Sequence, residues 1–392
     1  MATPITADEV NRTTLARQQL LARSDDDVPA VVGRVGGLQA QHADMPYVAL
    51  WSRRSGQTLG ALEEALTGGS VVKATVMRST LHVVPSAEWP LLDAVSAEQR
   101  LAAWRASARR AGVDLVGLNA AVRAYCAEPR TLDEVETFAA EQYPGVDAVA
   151  AIPGGVSRAW WRLASAGGGL VHVPPSGLWG SHVAVRYQDG ARWLADRLPH
   201  PLPVLPPDEA RSRAVARYLR AFGPASVRDV ARGLGVRGIG AMKRALALLD
   251  LRSYEAPDVP ELLDLADADL APADAPAPVR LLPRWDQLLV AFDERSRLLD
   301  PEHAVLVFRR NADVLPTFWV DGRVAGTWSL DVDARRATVH LEPFTGDAWA
   351  RHRDDLEAEA TSLLEVVAGD APEREVTWAA DPAARESGRA RR

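Results

Sequence analysis

Two glutamines one residue apart, in Gly36-Gly37-Leu38-Gln39-Ala40-Gln41-His42-Ala43-Asp44, are the most chemically suggestive feature of this 392-residue chain. Each amide offers a carbonyl acceptor and an NH2 donor without carrying charge. The two glycines before them loosen any helix that reaches this point. If residues 39–41 are extended, both amides project one way and Ala40 points back into the core. If the segment is helical, the amides diverge by about 200°, and the pair is two unrelated surface glutamines.

Other chemistries find little support. No HExxH, CxxC or GxSxG motif occurs. The glycines of Gly233-Leu234-Gly235-Val236-Arg237-Gly238-Ile239-Gly240 lie between helical stretches and not after a strand, so they read as turn residues and not as a dinucleotide site. The eight histidines are scattered, and the lone Cys126 excludes an internal disulfide or a Cys-based metal site. No metal and no cofactor is expected. The N-terminus has no apolar signal-like core, and no run of about 18 apolar residues occurs, so a cytoplasmic location without membrane contact is expected.

The net charge of −7 looks unfavourable for a nucleic-acid partner, but its location matters. Glu255, Asp258, Glu261, Asp264, Asp267, Asp269 and Asp274 carry all of it in one Pro/Ala-rich stretch without a cation. The remainder is neutral, and a neutral body can still present a basic groove.

The elements that must position the glutamines follow a recurring pattern of short helices, a turn and a strand pair. A helix near Val28–Leu38 and another over Leu59–Leu66, ended by Gly68-Gly69, precede strands Val71–Ala74 and Ser79–Val84. A second unit opens with an N-cap pattern at Thr131-Leu132-Asp133-Glu134. It continues through a helix around Val156–Ala166, a strand Leu170–Val173 and a hairpin across Gln188-Asp189-Gly190. In the third, Ser226 caps a helix, Gly233–Gly238 turns the chain, and Met242, Ala245, Leu246 and Leu249 line a second helix. Helix, turn, helix and strand is the winged helix-turn-helix order. The expected fold class is α+β: tandem winged-helix units over 1–125, 126–205 and 206–256, an acidic linker over 257–278, and a β-rich domain with a terminal helix over 279–392. In the last, Ala304–Phe308, Thr317–Val320, Arg323–Trp328 and Ala337–Leu341 read as strands, Asp321-Gly322 as a hairpin turn, and Asp347–Val367 as a helix before a loose Arg-rich tail.

Leu38-Gln39-Ala40-Gln41 followed by Met77-Arg78-Ser79-Thr80-Leu81-His82-Val83-Val84 resembles the AlkZ-type winged-helix DNA glycosylases, which include the YcaQ-like proteins. Tyr218–Ser226, Leu281-Leu282-Pro283-Arg284-Trp285-Asp286 and Val320–Trp328 extend the likeness over nearly the whole chain. The resemblance implies that Gln39 and Gln41 are the catalytic residues. It also implies that the partner is double-stranded DNA carrying N-alkylated purines, including those of antibiotic-derived crosslinks. The chemistry is sensible. An N7-alkylated guanine carries a positive charge and leaves without a general acid. A glutamine carbonyl can accept a hydrogen bond from the attacking water and face the developing oxocarbenium ion with partial negative charge. With no lysine in the motif, a monofunctional, hydrolytic enzyme acting as a monomer is expected.

Arg78 and His82 share strand parity and are candidate phosphate or lesion contacts, or else an ordinary wing face. Gly322 and Arg323 form a candidate groove-probing hairpin, or else a plain exposed turn. Trp160 and Trp161 read as core residues, and Asp286 and Asp293 as structural. Two rival functions are a non-catalytic winged-helix DNA binder or transcription regulator, marked by sequence-dependent base contacts, and a protein that sequesters a free toxin.

Overall fold

The computed structural model describes residues 2–379 except His182, Pro201, Pro203, Val204, 257–260, Asn311 and 345–348. Local signals set most element ends. Thr6 with Glu9, Thr131 with Glu134 and Ser226 with Asp229 form reciprocal caps on helices Ala7–Arg17, Leu132–Glu141 and Val227–Leu234. Asp27 accepts the Ala30 amide at 2.9 Å to start helix Val28–Arg34. That helix stops because Gly36 and Gly37 adopt φ of 84° and 90°. A Cβ at Gly36 would lie 2.6 Å from the Phe222 ring. This turn throws the chain into the two-residue strand Leu38–Gln39.

Three sheets organise the molecule, and helices cover them. The six-stranded sheet runs, edge to edge, Leu38–Gln39, Leu81–Pro85, Val71–Thr75, Leu170–His172, Arg186–Asp189 and Arg130–Thr131, with every pairing antiparallel. The expected boundary at residue 125 is therefore crossed: strands from the first and second units share one sheet. The three-stranded sheet pairs Thr3–Pro4 with Leu251–Glu255, which in turn pairs with Leu262–Leu265. The five-stranded sheet, Arg280–Leu282, Thr317–Val320, Arg323–Val332, Arg336–Pro343 and Glu373–Trp378, packs Phe318, Leu341 and Trp328 against Leu356, Leu363 and Leu364 of helix Arg353–Val367. Among the described residues no helix is long and apolar enough to cross a membrane.

Several expectations are corrected. The acidic stretch is no free linker. Leu262–Leu265 is a strand, and Asp264, with no exposed surface, forms a two-pronged ion pair with Arg17 at 2.7 and 3.0 Å. Ala304–Val307 is a short helix and not a strand. Asp189 caps the helix Gly190–Leu194 in place of turning a hairpin. The start of the last helix at Asp347 and the tail over 380–392 lie outside the described residues.

The Asp321-Gly322 turn exists, with φ of 48° and 77°, but it does not project. Gly322 is buried on the first helix, its carbonyl accepting the Asn11 amide at 2.9 Å, while Arg12 donates to the Asp321 carbonyl at 3.1 Å. A Cβ there would meet Arg12, Leu15 and Asn11 at 2.5–2.7 Å. Arg323 turns back to Ser296 and Asp300. Assigning Gly322 to a DNA groove is thus corrected, since it packs on the first helix; Arg323 is half-exposed and engaged by Ser296 and Asp300. Gly322→Ala is expected to lower stability by about 1–3 kcal/mol through strain and crowding. Arg323→Ala, which removes a half-exposed ion pair, is expected to change it by less than about 1 kcal/mol. Melting curves of both variants check this, and a Gly322→Ala protein melting like the parent contradicts the packing.

Candidate active site

Residues 38–40 are extended. Leu38 and Gln39 face Val83 and His82 in the ladder, and the Ala40 amide donates to Leu81 O at 2.8 Å. Ala40 is fully buried among Val31, Leu38 and Leu50. The segment is extended as far as Ala40, not helical, and the chain bends at Gln41. Gln39 is 7% exposed, whereas Gln41 lies on the surface. Both carbonyls are held. Gln39 Oε1 accepts from Arg78 Nη2 at 2.8 Å, and Gln41 Oε1 accepts from the Leu81 amide at 2.7 Å. Each oxygen keeps a second acceptor position.

Arg78 is not on a strand. It occupies a single 3-10 turn, Met77–Ser79, with φ of 55°. Gly235 permits this: a Cβ there would stand 2.5 Å from the Arg78 backbone. From this turn the guanidinium donates to Gly233 O at 2.8 Å and to Gln39, and lies 2.9 Å from His82 Nε2. His82 Nδ1 is 3.0 Å from Thr80 O, which can only accept. Nδ1 therefore carries the proton, and Nε2 accepts from Arg78. Burial lowers the Arg78 guanidinium to about 10, the nearby Arg232 adding to the effect. Burial, and then the Arg78 charge, hold His82 well below the usual imidazole range.

These contacts correct the DNA-contact reading of His82, which has no exposed surface and serves to fix Arg78. Arg78 remains half-buried, with Nη1 given to Gly233 O and Nη2 to Gln39 Oε1 and His82 Nε2. Sequence reasoning paired the two residues by strand parity. The structure brings them together through a turn, and both converge on Gln39.

Reasoning from sequence missed a cleft of about 370 Å³ beside Gln41. Ser79, Trp104, Trp161, Arg162 and Tyr187 share its lining. The one sequence signal was the Trp160-Trp161 pair, read as core. Trp161 does pack on Tyr187, ring centroids 4.3 Å apart, but it also faces the cleft. Lys73, the nearest lysine in the sheet, is paired with Val83 and His172, so it lies on the opposite face from Gln39 and His82. Burial pushes its ammonium down to about 8 against the attraction of Asp44. Among the described residues no group of three or more His, Cys, Asp or Glu side chains could hold a metal ion.

The buried imidazoles predict a pH dependence. His82 and His172 are held neutral by burial, well below their ordinary value near 6.5. The unfolded chain takes up these protons below about pH 6.5 while the folded chain does not. Stability is therefore full above that pH and falls below it, by about 1.4 kcal/mol per pH unit for each histidine. Denaturant titrations between pH 7 and 5 should show this slope, and His82→Gln should remove about half of it. A parental slope in that variant contradicts the assignment.

Comparison with known proteins fits this geometry. Residues 32–366 match the family model described as DNA glycosylase AlkZ-like. The chain is 26% identical over 352 residues to the interstrand DNA cross-link repair glycosylase of Streptomyces sahachiroi, covering 81% of this chain and 85% of that protein. Among solved structures, Streptomyces sahachiroi DNA glycosylase AlkZ superposes with a TM-score of 0.78 at 22% identity, covering 96% of this chain and 100% of that one. At that identity the structural likeness speaks for the fold. The family match, spanning most of the chain, shows that this protein belongs to the AlkZ-like DNA glycosylases and is a hydrolase.

Proposed function

We propose that the protein hydrolyses the N-glycosidic bond of cationic N-alkylated purines in double-stranded DNA, above all bulky N7-alkylguanines, with Gln39 and Gln41 as the catalytic pair. The observation that carries this reading is the pair Gln39, on the strand Leu38–Gln39, and Gln41, in the bend just after it, whose two side-chain carbonyls are fixed by Arg78 and the Leu81 amide. Two neutral oxygens held in place need no reorganisation when positive charge develops at the anomeric carbon. Neither has the basicity of a carboxylate, so the site suits a leaving group already activated by its own charge. The crosslink-repair name of the Streptomyces sahachiroi relative supports extending the substrates to interstrand crosslinks. A role in DNA repair or in resistance to an alkylating antibiotic follows.

The scaffold for this activity is read as tandem winged-helix units. Helices Pro207–Phe222, Val227–Leu234 and Ile239–Leu246, followed by the paired strands Leu251–Glu255 and Leu262–Leu265, have that order. A purely DNA-binding regulator would share it, and base release separates the two.

Single-turnover assays on duplexes carrying N7-methylguanine or a bulky N7 adduct, with the released base measured by mass, test the reading. Gln41→Ala is expected to lower excision on the order of 10²–10³ with an unchanged melting temperature, because Gln41 is exposed. Gln39→Ala should lose as much activity and also about 1–3 kcal/mol of stability, since it strips the Arg78 guanidinium of an acceptor. Parental excision by both variants refutes the catalytic pair. With Lys73 on the far face of the sheet, borohydride should trap no covalent protein–DNA complex; a trapped complex would overturn the monofunctional assignment.

A further inference from the structure

We propose that the cleft beside Gln41 receives the damaged purine itself, turned out of the duplex and stacked on Trp161 and Trp104. This rests on the glycosylase reading above and names where the substrate base sits. The cleft touches the proposed catalytic pair directly, since Gln41 forms part of its wall. Its volume of about 370 Å³ accommodates a bicyclic base. Its aromatic surface comes from three separate elements: Trp104 on helix Trp89–Ala111, Trp161 on helix Ala159–Ala164 and Tyr187 on strand Arg186–Asp189. Tyr187 packs against Trp161, ring centroids 4.3 Å apart.

An everted base is recognised by stacking and by its Watson–Crick edge. The aromatic faces attract a cation more than a neutral ring, which favours an alkylated purine over an undamaged one. Asp93 also lines the cleft. Its carboxylate is oriented by the Gly169 amide at 2.8 Å and by Arg100 at 3.2 Å. Arg100 is itself fixed on Thr75 O and Ser96 Oγ. A carboxylate so held retains acceptor positions, and guanine offers two donors, N1–H and the 2-amino group, on its Watson–Crick edge. Gly168 keeps this corner tight: a Cβ there would come within 2.5–2.8 Å of Asp93 and Arg100. Arg162 and Ser79 in its wall are exposed, so an N7 substituent need not be enclosed.

The test uses the intact protein and two readouts: single-turnover release of N7-methylguanine from duplex DNA, and equilibrium dialysis of free 7-methylguanine. N7-methylguanine has no aromatic substituent, so any stacking is with the base. Trp161→Ala and Trp104→Ala are each expected to slow release by about tenfold or more, the loss typical of one base–aromatic stack, and to weaken dialysis binding in parallel. Trp161→Phe should restore most of both, which separates loss of stacking from misfolding, and melting curves accompany each variant. Parental release and binding in both alanine variants overturn the proposal. Loss confined to adducts with an aryl substituent also overturns it, since the cleft would then hold the substituent. A parent protein that releases no base yet binds 7-methylguanine through Trp161 sinks the glycosylase reading and keeps the cleft. A parent that excises well but whose release is indifferent to both tryptophans does the reverse.

Discussion

A buried ion pair between Arg53 and Asp286 ties the N-terminal part of the chain, which carries the glutamine segment, to a segment 233 residues further on. Neither side chain has more than 1% exposure, and the guanidinium meets the carboxylate at 2.8 and 2.9 Å. Such a pair adds little net stability, but removing one partner leaves an uncompensated buried charge, costing about 3–5 kcal/mol. Its value here is positional. Asp286 caps helix Gln287–Val290, and Gln287 donates to Val35 O at 2.7 Å. Gln18 donates to the same carbonyl at 3.0 Å and to Ala221 O at 2.8 Å. Val35 is the residue before the Gly36-Gly37 turn. Two buried amides from segments 269 residues apart therefore fix where the helix ends and the glutamine strand begins.

The site is electrostatically unusual for the cationic lesions proposed as its substrates. Arg78 places a positive charge next to Gln39, and burial with Arg232 nearby works against that charge. The benefit is geometric, since a guanidinium can grip Gly233 O, Gln39 Oε1 and His82 Nε2 at once from a fixed plane. Holding His82 neutral is part of the same arrangement, because a protonated imidazole would present a second cation where Arg78 needs an acceptor.

What the sequence made legible was local. Caps at Thr131 and Ser226, helix ends at Gly69, and the turn at Gly322 follow from side chains a few residues apart. The glutamine segment stayed ambiguous because its conformation is decided by Gln18 and Gln287, both remote. The apolar run 304–308 misled because periodicity cannot separate a short buried strand from a helical turn. In the acidic stretch, charge composition masked the strand Leu262-Leu263-Asp264-Leu265, which pairs into a sheet. The pairing of Lys73 with His172, 99 residues on, fuses two expected units into one sheet and leaves no mark on either segment alone. The cleft aromatics are likewise assembled from three distant elements.

Polar side chains of the first helix, Ala7–Arg17, find their partners more than 200 residues further along the chain. Arg17 needs Asp264, and Asn11 needs the carbonyls of Arg297 and Gly322. Gln18, just beyond it, needs Ala221. Until those distant segments are in place these groups have only water to satisfy them, and the strand Thr3–Pro4 lacks the edge at Tyr254 that it joins. Loop closure over such spans is slow compared with local helix formation. Helix Ala7–Arg17 is thus locked only when segments more than 200 residues further along have folded, and the Gly36-Gly37 turn, whose preceding Val35 carbonyl is held by Gln18 and Gln287, belongs to the same late assembly.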